Sequence, residues 1–347
     1  WVFGRKVYNS LTKRIVSDLM KFLIIGCGSI GRRHAKNLKE LGEEVIGADI
    51  VPDNRKWAEE NLGIKTYEKA EDALRREKPD AALVCTPPHL HVQIAKQALA
   101  AKAHVFMEKP ISHNGKGVDA LLKAAEKKKK IIAVGYNLRF HKGIAKLKEL
   151  IDNGKIGKIL SARLLFGQYL PNWRPTQDYR KSYTASKSMG GGIILDDSHE
   201  IDYARWLMGE VAEVNCTAAK VSNLEVETED TAEITLKFKS GSIAQIHMDF
   251  VRQDYARNCE MVGEKGTLKW DYTKGTIEVY SAETKQTEII DVKCEPNEMY
   301  VDEMKQFIDC IRNNKTPLVS GYEGKKTLMI ALAAKKSSDG RKAVKIK

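Results

Sequence analysis

The fold of the first part of the chain is decided by the stretch FLIIGCGSIG, residues 22–31. Four apolar residues predict a buried strand, and the glycines after them have the spacing G-x-G-x-x-G at the start of an amphipathic helix over 30–41. Gly26 permits a tight turn, Gly28 lets the backbone approach a pyrophosphate, and Gly31 lets the helix pack close to the strand. The stretch therefore predicts a dinucleotide site at the end of the first strand.

Short apolar runs alternate with amphipathic stretches along the first 140 residues. The apolar runs cover 22–25, 44–48, 81–85, 104–107 and 131–134. Strands that alternate with helices form a parallel sheet with helices on both faces. We therefore predict a doubly wound parallel sheet, the α/β architecture of a Rossmann domain, over residues 20–140.

An aspartate ends the second predicted strand and indicates which dinucleotide binds. Asp49 follows Gly31 by 18 residues, and a carboxylate there can accept both ribose hydroxyls of adenosine while repelling a 2′-phosphate. NAD is therefore the predicted cofactor. Arg32 and Arg33 keep NADP as the alternative, because a guanidinium can offset that repulsion. The predicted cofactor contacts in this region are Gly26, Gly28, Ser29, Ile30, Gly31 and Asp49.

Two more motifs follow the next two predicted strands, at the carboxyl ends where open α/β sheets bind ligands. They are TPPHLH, residues 86–91, and EKP, residues 108–110. A lysine placed directly after a buried strand is partly desolvated and suits acid-base chemistry. For His91, packing at the start of a helix is the alternative to a chemical role. The predicted cofactor contacts here are Thr86, Pro87, His91, Glu108 and Lys109.

The length and composition exclude several classes of protein. A chain of 347 residues is long enough for two domains, and 42% apolar with 30% charged residues is an ordinary globular composition. The longest apolar run, 328–334, is far shorter than the roughly 20 residues needed to cross a bilayer. The net charge of +12 is scattered and has no recognition motif beside it, so no nucleic-acid partner is predicted.

The cysteines and the first residues bear on cellular location. None of the six cysteines has the two-residue spacing of a zinc or redox motif, so we predict reduced thiols, no metal and a cytoplasmic protein. Met20 resembles a natural start, and residues 1–19 are interpreted as a leader or extension without an assigned function. That segment lacks the long apolar stretch of a secretory signal.

Two later motifs complete an ordered set: GYNLRF at residues 135–140 and GGGIILDDSHEID at residues 190–202. With the glycine turn, TPPxxH and EKP, this set resembles the Gfo/Idh/MocA family, which includes glucose-fructose oxidoreductase and inositol dehydrogenase. The resemblance runs from about residue 20 to the C terminus. It implies an N-terminal Rossmann domain followed by a C-terminal α+β domain, residues 141–347, with an open, mainly antiparallel sheet that binds substrate.

The sequence of the second domain supports such a sheet independently. Apolar and polar residues alternate over 231–239 and again over 244–250, with a Ser-Gly turn between the two runs. This pattern predicts a hairpin with one buried face. The resemblance implies that the sheet packs against another copy in a homodimer or homotetramer, and a sheet covered by its own helices is the alternative.

The resemblance also implies that Lys109 and His199, from different domains, are catalytic residues that meet in the cleft between the domains. Many family members carry an aspartate four residues before this histidine, whereas here Asp196 stands three before it. Positions i and i+3 share one face of a helix, so Asp196 is expected beside His199, and Asp197 is expected to point elsewhere. A helix cap by either aspartate, with the histidine exposed, is the alternative.

The segment 168–189 is too long and too aromatic for a plain turn, and it precedes the histidine-bearing helix. We predict a lid in which aromatic rings stack on a sugar and arginines hold a phosphate or carboxylate. A surface loop with a hydrophobic anchor is the alternative. The predicted substrate contacts are Arg139, Trp173, Arg174, Tyr179, Arg180, Tyr183 and His199.

Together, these residues and the resemblance predict an NAD-dependent dehydrogenase that oxidises a secondary alcohol of a sugar, sugar nucleotide or cyclitol. His199 is the expected base, Lys109 the proton relay or alkoxide donor, and Asp196 the group that orients them. Two alternatives share the cofactor site. One is an NAD-dependent glycosidase whose first step is the same oxidation, and the other is a non-catalytic redox sensor that binds NAD.

Overall fold

The computed structural model of the protein describes residues 19–175 and 177–346. The interpretation of residues 1–19 as a leader therefore falls, except for its last residue, outside the described ranges. Within those ranges the chain forms two sheets, one parallel and one mainly antiparallel. None of the helices there combines the length and the apolar character that crossing a membrane requires.

The first sheet, as far as the structure describes the chain, has six strands that pair in parallel. In chain order the strands are β1 Lys21–Ile25, β2 Glu44–Ala48, β3 Thr66–Tyr67, β4 Ala81–Val84, β5 His104–Met107 and β6 Ile132–Val134. Across the sheet they follow the order β3-β2-β1-β4-β5-β6. The predicted apolar runs are confirmed as β1, β2, β4, β5 and β6. Strand β3 was not predicted, because its two residues contain no apolar run.

Helices connect these strands and cover both faces of the sheet. They are α1 Ser29–Glu40, α2 Pro52–Leu62, α3 Ala70–Glu77, α4 His91–Ala100 and α5 Val118–Lys127. Leu23 and Ile25 of β1 pack into one core, while Phe22 and Ile24 pack into another. This alternation confirms the doubly wound architecture. All six strands point the same way, but the order in which they are added to the sheet reverses between β1 and β4, and such sheets bind ligands at the crevice outside those two strand ends.

The second sheet is the mainly antiparallel one. Its described strands are β7 Ile159–Gly167, β8 Val211–Ala219, β9 Thr231–Phe238, β10 Ile243–Asp249, β11 Ala256–Gly263, β12 Gly266–Asp271, β13 Thr276–Ser281, β14 Thr287–Asp291 and β15 Val344–Lys345. Across the sheet they follow the order β14-β13-β12-β11-β7-β10-β9-β8-β15, and β7 pairs with β10 in parallel. The helices that pack against this sheet include α6 Lys142–Asp152, α7 Ile193–Asp196 and α8 His199–Met208, and the last helix of the chain, Gly321–Gly340, also packs on β8.

Strands β9 and β10 confirm the predicted hairpin with one buried face. Ile234 and Ile246 lie opposite each other in the ladder, and both are buried. The other face of the sheet carries exposed apolar side chains, among them Ile243 and Ile289. The homodimer or homotetramer implied by the family resemblance stays a prediction.

The last part of the chain ties the two sheets together. Helix α9 Glu298–Asn313 packs on the first sheet, where the rings of Phe106 and Phe307 lie 5.6 Å apart. Helix α10 Gly321–Gly340 begins against the same sheet, since a methyl group at Gly324 would lie 2.6 Å from the Val134 side chain. The division of the chain at residue 140 stays a prediction. The core of the first sheet nevertheless includes residues of α9, which follows β14 in the chain.

Candidate active site

A cavity of about 590 Å³ lies between residues of the first sheet and residues of the second. We call the side formed by residues 26–31, 86–91 and 108–110 the first wall. The side formed by residues 166–175, 177–183, 196–200 and 255–257 is the second wall. The two walls are built in different ways, and each is described from its residues upward.

The loop between β1 and α1 has the conformation that its glycines predict. Gly26 has a φ of +97°, and a methyl group there would lie 2.7 Å from the carbonyl oxygen of Cys85. A methyl group at Gly31 would collide with the carbonyl oxygen of Gly26, so only glycine lets α1 approach the turn. At Gly28, by contrast, no described atom lies within 4 Å of an added methyl group. Space for a ligand therefore remains at the N terminus of α1, which favours a phosphate.

Asp49 follows β2 and supports the glycine turn through its carboxylate. Oδ2 accepts hydrogen bonds from the Cys27 backbone N–H (2.7 Å) and the Asn54 side chain (3.0 Å), and Oδ1 accepts one from the Val51 N–H (2.8 Å). A carboxylate offers about four lone-pair sites. One acceptor site therefore remains at Oδ1 for a ligand hydroxyl.

Arg32 and Arg33, the two residues that kept NADP as an alternative, lie in different surroundings. Arg32 donates to the Asn54 side chain (2.9 Å), which in turn donates to Asp49. The guanidinium of Arg33 lies over the ring of Tyr300, 4.4 Å from its centroid. The argument for NADP therefore applies to Arg32 alone.

His91 holds the two loops of the first wall together and does not line the cavity, so its prediction as a cofactor contact is corrected. Its ring nitrogens lie 2.7 Å from the carbonyl oxygen of Thr86 and 2.9 Å from that of Pro110. The ring is fully buried at the start of α4, and burial lowers its pKa. Thr86 does line the cavity, and its Oγ1 is buried without a hydrogen-bond partner among the described residues.

Glu108, directly after β5, pairs with a histidine buried in α1. Its Oε1 lies 2.7 Å from Nε2 of His34, which is inaccessible to solvent. Burial opposes ionisation of Glu108, but the hydrogen bond from His34 and the charge of Lys109 together lower its pKa. Glu108 therefore presents a carboxylate to the cavity.

Lys109 joins the two walls. Its Nζ donates to the backbone carbonyl of Asp196 and lies 3.4 Å from Oδ1 of the same residue. The lysine side chain is 16% exposed and the aspartate side chain 2%, so the contact is largely removed from solvent. Asp196 also accepts hydrogen bonds from the hydroxyls of Tyr183 and Thr184. The aspartate is thus fixed by the second wall and presents its oxygens to a lysine of the first.

The prediction that Asp196 and His199 share one face of a helix is wrong. Helix α7 ends at Asp196, Asp197 has φ −112° and ψ 46°, and α8 begins at His199. The helix breaks where Arg257 holds the side chain of Asp197, with Nη2 2.7 Å from Oδ2. Because of this break, Asp197 lines the cavity instead of pointing elsewhere. Within the described part of the chain, no hydrogen bond joins Asp196 to His199.

Arg257, on β11, organises the second wall. Besides Asp197 it binds Glu200, with Nε donating to Oε1 at 2.8 Å, and its guanidinium lies 4.3 Å from the ring centroid of Phe166. The side chain of Arg257 is only 10% exposed. Burial raises the pKa of Asp197, and it raises that of Glu200 to about 8. Glu200 is therefore harder to ionise than an exposed glutamate.

His199 lines the cavity as a neutral imidazole. Burial, with smaller contributions from the charges of Lys109 and Arg257, lowers its pKa well below the usual value. Its Nδ1 is buried and has no partner among the described residues, and its ring meets Tyr136 edge-on at 5.7 Å. Lys109 and His199 line the same cavity. Their catalytic roles stay predictions.

Most of the predicted site residues line this cavity. Those that do are Gly28, Ser29, Ile30, Thr86, Pro87, Glu108, Lys109, Trp173, Arg174, Tyr183, Asp196 and His199. Gly26, Gly31 and Asp49 shape the turn behind the lining.

Arg139 lies away from the cavity, which corrects its prediction as a substrate contact. Its Nε and Nη2 each donate to the Asp202 carboxylate at 2.8 Å, and Nη1 donates to Glu323 at 3.2 Å. Its side chain is 1% exposed. Because these carboxylates take up its donors, Arg139 fixes α8 and α10 to the segment after β6.

Tyr179 and Arg180 also lie outside the lining, although the segment that carries them contributes to it. Arg180 makes two hydrogen bonds to Asp178, of 2.8 and 3.0 Å, and is exposed. The Tyr179 hydroxyl accepts a hydrogen bond from the backbone N–H of Glu225 (3.2 Å). Their polar groups are therefore engaged by neighbouring surface residues rather than by the cavity.

Sequence reasoning missed a second set of lining residues. Lys181 and Gln177 belong to the segment already singled out. Gln177 follows Trp173 by four residues and Arg174 by three, and Lys181 follows Gln177 by four. Others come from distant parts of the chain and carried no local signal. The missed lining residues are Asn54, Cys85, Pro88, Gly135, Asn137, Phe166, Gln168, Gln177, Lys181, Asp197, Tyr255, Arg257 and Tyr300.

The first wall fits a dinucleotide. The open space at Gly28, the free acceptor site of Asp49 and the unpartnered hydroxyl of Thr86 are the places where a pyrophosphate, a ribose and a further polar group would be held. All three observations come from the chain's own geometry. They define a protein of the dinucleotide-binding class with a second domain facing the same site.

Comparison with known proteins identifies the family. The sequence model described as an oxidoreductase family with an NAD-binding Rossmann fold matches residues 20–136, and that of the Gfo/Idh/MocA C-terminal domain matches residues 144–269. Myo-inositol 2-dehydrogenase of Thermotoga maritima is 33% identical over 341 residues, covering 94% of this chain and 98% of that protein. Levoglucosan dehydrogenase of Pseudarthrobacter phenanthrenivorans is 28% identical over 72% of this chain and 73% of the relative.

A solved structure agrees with these matches. The crystal structure of a probable dehydrogenase from Thermotoga maritima is 30% identical and has a TM-score of 0.79, covering 94% of this chain and 98% of the other. The protein is thus a two-domain oxidoreductase that binds NAD. It belongs to the Gfo/Idh/MocA family.

Proposed function

We propose that this enzyme is a dehydrogenase for a secondary alcohol of a sugar or cyclitol. The observation that carries the proposal is the meeting of Lys109 and His199, from opposite walls, at one cavity that also borders the dinucleotide turn. An alcohol placed there would have a neutral imidazole and an ammonium group within reach. A redox sensor would need the turn but neither of these groups.

The reaction removes a hydride from the carbinol carbon and a proton from its hydroxyl, leaving a carbonyl. NAD, when bound, supplies the hydride acceptor. The neutral imidazole of His199 accepts the hydroxyl proton, because burial keeps its pKa low and leaves a ring nitrogen without a proton. The ammonium of Lys109 donates a hydrogen bond to the developing alkoxide.

Asp196 positions Lys109 in this scheme rather than His199. Its backbone carbonyl and carboxylate both face the lysine Nζ, and the carboxylate is itself held by Tyr183 and Thr184. A lysine fixed in this way keeps its direction through the reaction. The role predicted for Asp196, to orient both His199 and Lys109, is thereby limited in this proposal to the lysine.

The relatives support an alcohol that belongs to a ring. One is named for myo-inositol and another for levoglucosan, and both names denote polyhydroxylated rings. The cavity offers aromatic faces for such a ring, including Trp173 and Tyr255 of the second wall.

The test is a screen for NADH formation with NAD, or NADP in parallel, against inositols, hexoses, levoglucosan, uronates and nucleotide sugars. We expect NADH from at least one polyhydroxylated ring, and faster with NAD than with NADP. Release of an aglycone from a glycoside without net NADH would instead identify the NAD-dependent glycosidase. Silence across the whole panel, with NAD bound, would contradict the proposal and favour the sensor.

A further inference from the structure

The charged residues that line the cavity are unevenly paired. The carboxylates Glu108, Asp196 and Asp197 each have a partner, respectively His34, Lys109 and Arg257. Two further cations line the cavity, Arg174 and Lys181. Across residues 19–175 and 177–346, neither of them has a carboxylate within ion-pair distance. The cavity therefore has an excess of positive charge that the chain itself does not balance.

Arg180 belongs to the same segment but does not line the cavity, and it has carboxylate partners. It is exposed, and Asp178 neutralises it with Nε 2.8 Å from Oδ1. Glu225 adds a second contact to Arg180 at 3.5 Å. Arg180 is thus paired with carboxylates, whereas Arg174 and Lys181, which line the cavity, have no ion pair among the described residues.

Arg174 has a fixed position at the rim. The preceding residue, Trp173, donates its indole N–H to the Gln168 carbonyl at 3.1 Å. The ring of Trp173 also meets Phe166 and Phe250 edge-on, at 5.9 and 5.2 Å. Because its neighbour is anchored on the inner face of the second sheet, Arg174 presents a half-buried guanidinium from a defined direction.

Arg174 also lies close to the groups proposed to react. Burial raises the pKa of Tyr183 well above its usual value, and the charge of Arg174 acts on the same phenol in the opposite direction. Tyr183 donates to Asp196, which faces Lys109. Arg174 therefore lines the same cavity as Tyr183, whose hydroxyl contacts the aspartate that holds the lysine.

We propose that the substrate carries a carboxylate or phosphate, which Arg174 and Lys181 bind at the second wall. This inference rests on the proposed dehydrogenase function and narrows its substrate to an anionic sugar or cyclitol. A guanidinium matches the paired oxygens of either anion, and a lysine adds a second charge. Neutral inositols and levoglucosan leave both cations without a counter-ion. The pyrophosphate of NAD is the other anion that the cavity receives, and the experiment separates the two.

The experiment compares substrates that differ in one charged group. The probes are D-glucose with D-glucuronate, D-galactose with D-galacturonate, and myo-inositol with myo-inositol 1-phosphate. The proteins are the wild type, Arg174→Gln and Lys181→Gln, with Arg180→Gln as the matched control because it removes an equal charge outside the cavity. Three quantities are measured for each: kcat/KM from NADH formation, the Kd for NAD, and the Kd of the anionic probes for the NAD-loaded protein by calorimetry.

We expect the wild type to prefer the anionic member of at least one pair. Arg174→Gln should reduce this preference by about 10- to 100-fold, the range for hydrogen bonds to a charged group, and Lys181→Gln by less. In both variants, kcat/KM for the neutral member and the Kd for NAD should change by much smaller factors than kcat/KM for the anionic member. Arg180→Gln should behave as the wild type.

Three results would overturn the inference. If NADH forms from neutral members alone, the proposed function stands and the anion inference fails. If Arg174→Gln raises the Kd for NAD by the same factor, the cation serves the cofactor's pyrophosphate instead of the substrate. If no member of any pair gives NADH and calorimetry shows no anionic probe that binds the wild type more tightly than Arg174→Gln, the anion inference fails. The proposed function fails only if the wider panel is silent as well.

Discussion

The two walls of the cavity are assembled by different physical means. The first wall is shaped mainly by the backbone. Gly26 turns the chain, Gly31 lets the helix pack close to the turn, and His91 contacts carbonyl groups of two neighbouring loops. In the second wall, side chains separated by long stretches of chain hold one another. Asp197 and Arg257 are 60 residues apart in sequence, and Lys109 reaches Asp196 across 87 residues. The first wall is therefore a local structure, and the second exists only once the whole fold has formed.

This difference separates cofactor binding from substrate chemistry. A change in the first wall should alter the affinity for NAD with modest effect on the fold, since its geometry is set within short segments. A change in the second wall should cost stability as well as activity, because its charges are buried and depend on partners from distant elements. The predictions below test that division.

Lys109→Ala gives the largest expected effect, because Lys109 is where the walls meet. Loss of a positioned proton-transfer or alkoxide-binding group reduces rates by about 10² to 10⁴. We expect turnover to fall by such a factor while NAD still binds, measured by steady-state kinetics and by titration with NAD. Lys116→Ala, at an exposed site after the same strand, is the control. Unchanged turnover would remove Lys109 from the chemistry.

Arg257→Met tests the second wall through stability. The substitution leaves Asp197 without its cation and Glu200 without its donor, both in buried surroundings. Breaking a buried ion pair from one side costs about 3 to 5 kcal/mol. We expect the free energy of unfolding in urea to fall by that amount. The exposed Arg163 on β7 provides the control, Arg163→Met. A loss below about 1 kcal/mol, the level of a surface pair, would contradict the division between the walls.

Glu200→Gln should change how stability depends on pH, by less than the loss of Arg257, because glutamine still accepts the bond from Arg257. Burial raises the pKa of Glu200 to about 8 in the folded protein, whereas in the unfolded chain a glutamate ionises near about 4.3. Between these values the folded protein holds a proton that the unfolded chain has lost. The free energy of unfolding therefore decreases as the pH rises from about 5 to 8.

The variant lacks this proton, so its free energy of unfolding should vary less over that interval. The measurement is urea unfolding at a series of pH values, with the exposed Glu283→Gln as the control. Parallel pH profiles for the wild type and Glu200→Gln would show that Glu200 is ionised in the folded protein at neutral pH.

The same division explains how much of the fold the sequence could predict. Apolar runs and alternation gave the strands of the first sheet and the β9–β10 hairpin, because those signals are contained in a few consecutive residues. Strand β3 was not predicted, because two residues carry no periodicity. The packing of α9 on the first sheet was not predicted either. A helix pattern shows which face is apolar but not which of two sheets covers it.

The site follows the same rule. Lys109 and the glycine turn could be predicted because they directly follow strands, and His199 because its motif is ordered with them. Arg257 could not be predicted, because an arginine in a strand has the sequence pattern of a surface residue. The carboxylates that pair with it come from α8 and the α7–α8 turn, which are distant in sequence. For Arg139 the error was the opposite one: it was predicted to contact the substrate but lies away from the cavity. The sequence does not show that Asp202 and Glu323 pair with it.

Asp49→Asn returns to the first wall. It removes a charge from a carboxylate that has one acceptor site left for a ligand, and hydrogen bonds to charged groups contribute about 1.5 to 3 kcal/mol. We expect the affinity for NAD to fall by that amount, with a smaller change for NADP, measured by calorimetry. Asp53→Asn, exposed at the start of α2, is the control. Equal weakening of both dinucleotides would show that Asp49 does not set the preference.

Gly28→Ala has the smallest expected effect on the free energy of unfolding. Unlike Arg257→Met, it should raise that free energy. Its backbone, at φ −74° and ψ −165°, suits any residue, and the added methyl group meets no described atom within 4 Å. Alanine restricts the unfolded chain and should raise the free energy of unfolding by about 0.4 to 1 kcal/mol. The same methyl group occupies the space beside the N terminus of α1, so the Kd for NAD should increase.

Gly31→Ala is the contrasting variant, because its methyl group would collide with Gly26 and lower stability. Retention of wild-type NAD affinity in a stable Gly28→Ala protein would show that the cofactor does not pass over this turn, and the local character assigned to the first wall would fail at its central residue.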